Sequence, residues 1–190
     1  MGETFRSDEK VALKEKDAGQ KKRFVHLLEE DQTEVKRLTL EDVEDAVAVM
    51  RRCAFDVTDK EVSNIIEYGV SFGCYVNRML IGVGLAWPAH LNFKEKKIMN
   101  GDVNCLYMED PAVLLSYEGR GIRRILVQTR ENESKSKGYK YTLAYLSEDL
   151  PTEEIGDYIK ESGTQLEKLY LSEGYTFFRT DRGIMALKEF

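Results

Sequence analysis

Metal-ligating side chains are scarce in this sequence, which has three cysteines and two histidines among 190 residues. Cys53, Cys74 and Cys105 lie in apolar surroundings, and no pair of Cys or His stands at ligand spacing, which argues against a zinc site. The same scarcity argues against a Cys–His nucleophile. A sparse, odd set of thiols reads as reduced core cysteines of a cytoplasmic protein. Long apolar runs are missing too. The stretch from Met79 to Trp87 falls far short of the ~20 residues that span a membrane. Residues 1–31 are charged throughout, so no signal peptide is read there, and Arg6 stands where an N-myristoylation signal wants Ser or Thr. Nor is there a basic excess: a net charge of −6 disfavours nucleic acid as a partner. With 42% hydrophobic and 33% charged residues, the remainder is an ordinary globular composition. A chain of this length fits one domain that buries roughly 70% of its unfolded surface.

Residues 1–33 differ from the rest, alternating seven Lys and Arg with eight Asp and Glu. They read as a charged N-terminal extension with one short element near 24–28, and the globular domain is expected over 34–190. Within it, 35–38 alternates like a half-buried strand. Thr39 with Asp42, Thr58 with Glu61 and Thr164 with Glu167 each have the spacing of a capping box before a helical apolar period. Strands are predicted over 73–77 and 79–86, with Pro88 ending the second and 91–101 a polar loop. The stretch 105–115 reads as a strand interrupted or bulged at Pro111. A helix follows from the region of Gly119 and Gly121 to Gly138, then a strand over 141–146. The acidic segment 147–163 comes next, and after it a helix through Leu166, Leu169 and Tyr170 and a terminal hairpin over 175–188.

The chemistry concentrates between Val113 and Arg124. A strand end, a loop with two glycines and a helix start point several backbone N–H groups at one spot, and the helix dipole adds positive potential. Glycine lets the chain come close to an anion, and Arg120, Arg123 and Arg124 stand beside it. The physical reading is a phosphate-binding turn.

The same run resembles motif A of the GNAT acetyltransferases, in which a strand-closing valine precedes the first glycine of Gln/Arg-x-x-Gly-x-Gly/Ala by eight residues, as Val113 precedes Gly121. Tyr117 falls on that motif's frequent aromatic. The segment from Leu169 through Tyr170 to Gly174 and Tyr175 resembles the family's Leu-Tyr-x-x-x-Gly-Phe motif. Three positions depart from the pattern: Glu118 replaces Gln/Arg, Arg123 replaces the second Gly/Ala, and Gly163 stands where many relatives have Asn. An arginine at position 123 either crowds a pyrophosphate or clamps it.

The resemblance implies a mixed α/β (α+β) fold, the GNAT acyl-CoA N-acyltransferase fold. Its central sheet would be mostly antiparallel with six to seven strands, flanked by about four helices. It implies acetyl-CoA as cosubstrate, no metal, and transfer to a primary amine by direct attack. The unidentified acceptor would be a small molecule, a polyamine or a peptide amine. The cofactor would lie along Val113, Leu115, Glu118, Gly119, Arg120, Gly121, Ile122, Arg123 and Arg124. Tyr170 is expected as general acid to the thiolate. Glu109 is expected as general base, on the face of Val113 if Pro111 leaves the register intact, with Tyr107 and Asp110 as substitutes. Glu148, Asp149, Glu153, Glu154 and Asp157 would favour a cationic acceptor. A second reading, a catalytically inactive CoA-binding or regulatory module, rests on Glu118 and Arg123. No nucleic acid or membrane partner is expected, and a homodimer is left open.

Overall fold

The computed structural model describes residues 33–147 and 150–190. The charged extension up to residue 32, with the element expected at 24–28, and the acids Glu148 and Asp149 lie outside them.

Strand β1 (Thr33–Arg37) leads into helices α1 (Val43–Arg52) and α2 (Asp59–Tyr68), followed by β2 (Phe72–Val76) and β3 (Met79–Gly84). Next come β4 (Ala86–Asn92), β5 (Lys97–Met99), β6 (Cys105–Met108) and β7 (Ala112–Val113). Helix α3 (Ile122–Ser136) and β8 (Tyr141–Ser147) precede α4 (Ile155–Glu161), α5 (Gln165–Ser172), β9 (Thr176–Thr180) and β10 (Gly183–Glu189). All three expected capping boxes form at Thr39/Asp42, Thr58/Glu61 and Thr164/Glu167, each serving backbone N–H groups that a helix start leaves unpaired.

The strands make two sheets instead of one. The first has four strands in the order β1-β2-β3-β7, and the second has six in the order β5-β4-β6-β8-β10-β9. The ladders β2–β3, β3–β7, β4–β5, β4–β6, β8–β10 and β9–β10 are antiparallel, while β6 and β8 run parallel. The chain changes sheets three times, once through α3 between β7 and β8 and twice directly from strand to strand. It steps from β3 to β4 at Leu85, and it steps back from β6 to β7 through Glu109, Asp110 and Pro111. As a result β6 pairs with β8 as far as Tyr107 opposite Leu143, whereas β7 turns away and pairs with β3. The divergence leaves β7 an edge strand, with a gap between it and β8.

Pro88 lies inside β4 instead of ending a strand. Strand β5 begins to pair only at His90, so the proline falls where β4 is an edge on that side and no ladder needs its missing N–H. Residues 97–99, expected as loop, form β5. The acidic segment holds α4, whose Ile155 and Ile159 pack with Ile184. Gly163 follows it, and a Cβ there would come within 2.5 Å of the Ile159 carbonyl oxygen and 2.8 Å of its Cα. Backbone contact that close admits no side chain, so the departure to glycine at position 163 has a packing cause.

Helix α3 covers one face of both sheets. Val127 meets Leu106, Met108 and Ala144 of the second sheet, and Ile122 and Leu126 meet Ile81 and Val113 of the first. Met108 and Val113 therefore face the same helix although five residues separate them, an odd step for a strand. The extra residue is absorbed at Pro111. Tyr107 packs on the opposite face, with Leu143 and Met185.

Candidate active site

Beyond β7 the chain makes a single 3-10 turn at Leu115–Tyr117 and then enters α3. Gly119 and Gly121 both take left-handed backbone conformations, at φ +76° and +77°, and a Cβ on either would meet no atom within 4 Å. The turn is thus glycine-permissive by conformation and open above its amides, and these are the properties an anion cradle at a helix start needs. A cleft of about 170 Å³ lies beside it, lined by Val113, Tyr117, Glu118, Gly119, Gly121, Ile122, Arg123 and Arg124 together with Gln165 and Leu169 of α5. Seven of the nine expected cofactor residues meet there. Leu115 (89% exposed) and Arg120 do not line it, and the Arg120 guanidinium lies 4.9 Å from the centre of the Tyr117 ring.

The two departures from the motif pair with one another. The Arg123 Nη2 lies 2.5 Å from Glu118 Oε1, and its Nη1 donates to the Pro111 carbonyl at 2.8 Å. Glu118 is turned toward a cation, and Arg123 is held at the bend that opens the strand gap. Arg124 is spent elsewhere: it reaches Glu173 Oε1 at 2.5 Å and Ser172 Oγ at 3.0 Å, tying α3 to α5.

Below this turn the two direct sheet crossings share one side chain. Arg130 of α3 is fully buried, and its Nη1 donates to the carbonyls of Leu85 and Glu109, both at 2.7 Å. These carbonyls belong to the two points where the chain steps directly from a strand of one sheet to a strand of the other. Glu109 N–H also donates to the Leu85 carbonyl at 3.0 Å. Arg130 therefore bolts the divergence of β6 and β7 from inside. Sequence reasoning missed it, because an arginine on a helical apolar stripe is more often solvent-directed; its one signal was its place four residues after Leu126 on the helix's packed face.

Around that bolt lie three buried polar atoms with no hydrogen-bond partner among the described residues: Arg130 Nη2, Asp110 Oδ1 and the Tyr170 hydroxyl. Tyr170 is fully buried, edge-on to Tyr175 with centroids 4.7 Å apart. Burial raises its hydroxyl pKa, the carboxylates of Asp110, Glu131 and Glu109 push the same way, and the nearby Arg130 charge pulls against them. Burial, reinforced by the Glu109 charge, pushes the Asp110 carboxyl up to about 6.

Glu109 lies on the other face, with Tyr107. It lines a pocket of about 510 Å³ with Tyr107, Tyr145, Leu146, Ser147, Asp181 and Arg182. Burial raises its carboxyl pKa, against a hydrogen bond from Tyr107 and the charges of Arg130 and Arg182. The register slip at Pro111 thus puts Glu109 and Val113 on opposite faces, contrary to the expectation that they share one. Tyr170 and the glycine turn belong to the helix side of the gap, and Glu109 to the far side. Among the described acids of the 147–163 segment, Glu154 caps α4, Asp157 pairs with Lys160, and the Glu153 carbonyl accepts from Arg179. None of them lines either pocket. Among the described residues, no group of three or more His, Cys, Asp or Glu is placed to hold a metal, and no helix is long and apolar enough to cross a membrane.

No family model and no curated protein matches the chain. Solved structures do. The loading GNATL domain of CurA from Lyngbya majuscula superposes at TM-score 0.65 over 84% of this chain and 98% of its own, at 13% identity. The PaiA N-acetyltransferase of Thermoplasma acidophilum, in complex with coenzyme A, superposes at 0.60 over 84% of this chain and 99% of its own, at 16% identity. The ribosomal-protein-S18-alanine N-acetyltransferase of Escherichia coli superposes at 0.57 over 82% of this chain and 91% of its own, at 18% identity. At these identities the superpositions show a shared fold, the GNAT fold.

Proposed function

From the premise that the chain has the GNAT fold, we propose that it is an N-acetyltransferase that moves acetyl from acetyl-CoA to a primary amine by direct attack. One observation supports the reading: an open glycine turn at a helix start and a pocket holding Glu109 lie on opposite sides of one gap in the sheet, joined by the stretch from Glu109 to Val113. At ~3.3 Å per residue that stretch spans about 13 Å. Donor and acceptor can therefore enter from different faces and meet at the gap.

Acetyl-CoA supplies the thioester. Backbone amides between Gly119 and Arg124 hold its diphosphate, with α3 adding its dipole. An amide of the edge strand β7 is available to polarise the thioester carbonyl. Glu109 takes one proton from the acceptor ammonium. The neutral nitrogen then attacks the carbonyl carbon, a C–N bond forms, and the C–S bond breaks with its electron pair going to sulfur. Tyr170 gives its hydroxyl proton to that sulfur and is restored by the second proton of the nitrogen. A lysine-like amine must be held neutral against ~3.4 pH units, or about 4.6 kcal/mol, and an α-amine against only about 1.4 kcal/mol. A carboxylate whose pKa burial raises suits the second task better.

Calorimetric titration of acetyl-CoA tests the reading. Gly119→Ala and Gly121→Ala each project a methyl over the amides at a cost of about 1–2 kcal/mol to the fold. Each variant should bind acetyl-CoA at least about tenfold more weakly while retaining its circular dichroism. Absence of any heat or thermal shift with the parent chain would refute the donor site. Binding without thiol release, across a broad amine screen, would leave a CoA-binding module and refute the enzyme.

A further inference from the structure

The pocket beside Glu109 has a charge pattern that narrows the acceptor, and the inference drawn from it rests on the acetyltransferase reading above. Its volume, about 510 Å³, falls within the ~300–1,000 Å³ typical of small-molecule sites. Three charged side chains line it: Glu109, Asp181 and Arg182. Asp181 is already neutralised, because the Lys97 ammonium stands 2.6 Å from its Oδ2. One carboxylate and one guanidinium therefore remain to meet a ligand. Glu109 comes from the link after β6, and Arg182 from the turn between β9 and β10. The Arg182 charge acts on Glu109, on Tyr107 and on Tyr145, yet among the described residues no ion pair closes between it and Glu109.

What holds Arg182 instead is an aromatic face. Its guanidinium lies 4.4 Å from the centre of the Tyr145 ring. Tyr145 lies 6.0 Å from Tyr107, and Tyr107 lies 4.5 Å from Trp87, each pair tilted by about 45°. These rings form a row across β8, β6 and β4, with the cation at one end of it. A guanidinium spread over a ring keeps its outer N–H edge for a ligand, and its planar fork matches a carboxylate bidentately.

We propose that this pocket receives an amino acid or a comparable small amino carboxylate. Its ammonium lies toward Glu109, its carboxylate toward Arg182, and its side chain along the rings of Tyr107 and Tyr145. A polyamine would bring a second cation against Arg182. A simple monoamine would leave that guanidinium facing an apolar tail. The acids of the 147–163 segment, which would have favoured a polycation, are turned to helix capping and local pairs where described. The preference for an α-amine also agrees with the smaller deprotonation demand placed on Glu109.

The test uses matched triplets: free amino acids, their amides, and the decarboxylated amines. Two readouts are needed, thiol release at saturating acetyl-CoA and saturation-transfer NMR of each compound without it. For at least one triplet, the amino acid should exceed both partners about tenfold in kcat/KM and give the stronger saturation transfer. Arg182→Gln should abolish that preference through KM, costing the amino acid about tenfold more in kcat/KM than the amide or the amine, and Arg182→Lys should restore part of it. The inference is overturned if no amino acid is preferred, or if Arg182→Gln leaves the preference intact. Saturation transfer that favours amino acids, with no thiol released from any compound, would refute the transfer reading and uphold the pocket's chemistry.

Discussion

Tyr170→Phe separates chemistry from packing because it should move stability and turnover in opposite directions. The ring is fully buried and its edge-on contact with Tyr175 does not involve the oxygen, so phenylalanine keeps the packing. The hydroxyl has no hydrogen-bond partner among the described residues. Burying an unpaired hydroxyl costs about 1–3 kcal/mol by mutational measures. Removing it should therefore stabilise the free protein by about 1–2 kcal/mol. In a domain of this size that is a rise in Tm of roughly 2–8 °C. Turnover should fall at the same time. A thiolate is already a fair leaving group, so the loss belongs near the low end for general acids, about 100-fold. Thermal melts and a thiol-release assay on one preparation give both numbers. A Tyr170→Phe protein less stable than the parent by more than about 1 kcal/mol would mean that the hydroxyl holds the core together. Unchanged turnover would remove Tyr170 from the chemistry.

Asp110→Asn should show a stability gain that depends on pH. The carboxyl is pushed up from 3.8 to about 6, so between those values the folded chain holds a proton that the unfolded chain has lost. Stability falls as pH rises through that window, and the penalty is complete above it. Asparagine cannot ionise, so urea melts should show a gain of about 3 kcal/mol at pH 7.5 and less than about 1 kcal/mol at pH 4; a gain of equal size at both values would sink the argument. Glu118→Gln should free Arg123 from its 2.5 Å partner and remove a negative charge from the cleft. Acetyl-CoA should then bind severalfold tighter at low salt, for a loss of up to about 1 kcal/mol in stability, the usual worth of a partly exposed pair. Weaker binding would mean that the carboxylate itself orders the cleft.

Local chemistry was the most legible layer. The three capping boxes were visible as Thr followed by Asp or Glu at three residues, since both partners lie within one turn. The glycine turn was visible because left-handed conformations near a helix start have few residue solutions. The division into two sheets was not. Pro88 and Pro111 each look like a break in sequence, yet one sits harmlessly on an edge while the other shifts the register and turns Glu109 to the far face. Which of these happens depends on where neighbouring strands stop pairing, and that is set by residues distant in the chain. Arg130 was hidden for a related reason, because its partners are backbone carbonyls that carry no side-chain signature. The mutual pairing of Glu118 and Arg123 could have been suspected, since opposite charges five residues apart across a tight turn can fold back on each other.

The buried guanidinium of Arg130 has a consequence for the order of events. It sits eight residues into the helix that follows the glycine turn, about 12 Å along a rigid rod at ~1.5 Å per residue. Its far end grips the carbonyl of Glu109, the residue whose carboxylate faces the other entrance. On the proposed reading, a shift of that rod on binding acetyl-CoA would be passed to the backbone of Glu109, because one guanidinium joins the two with no other side chain between them.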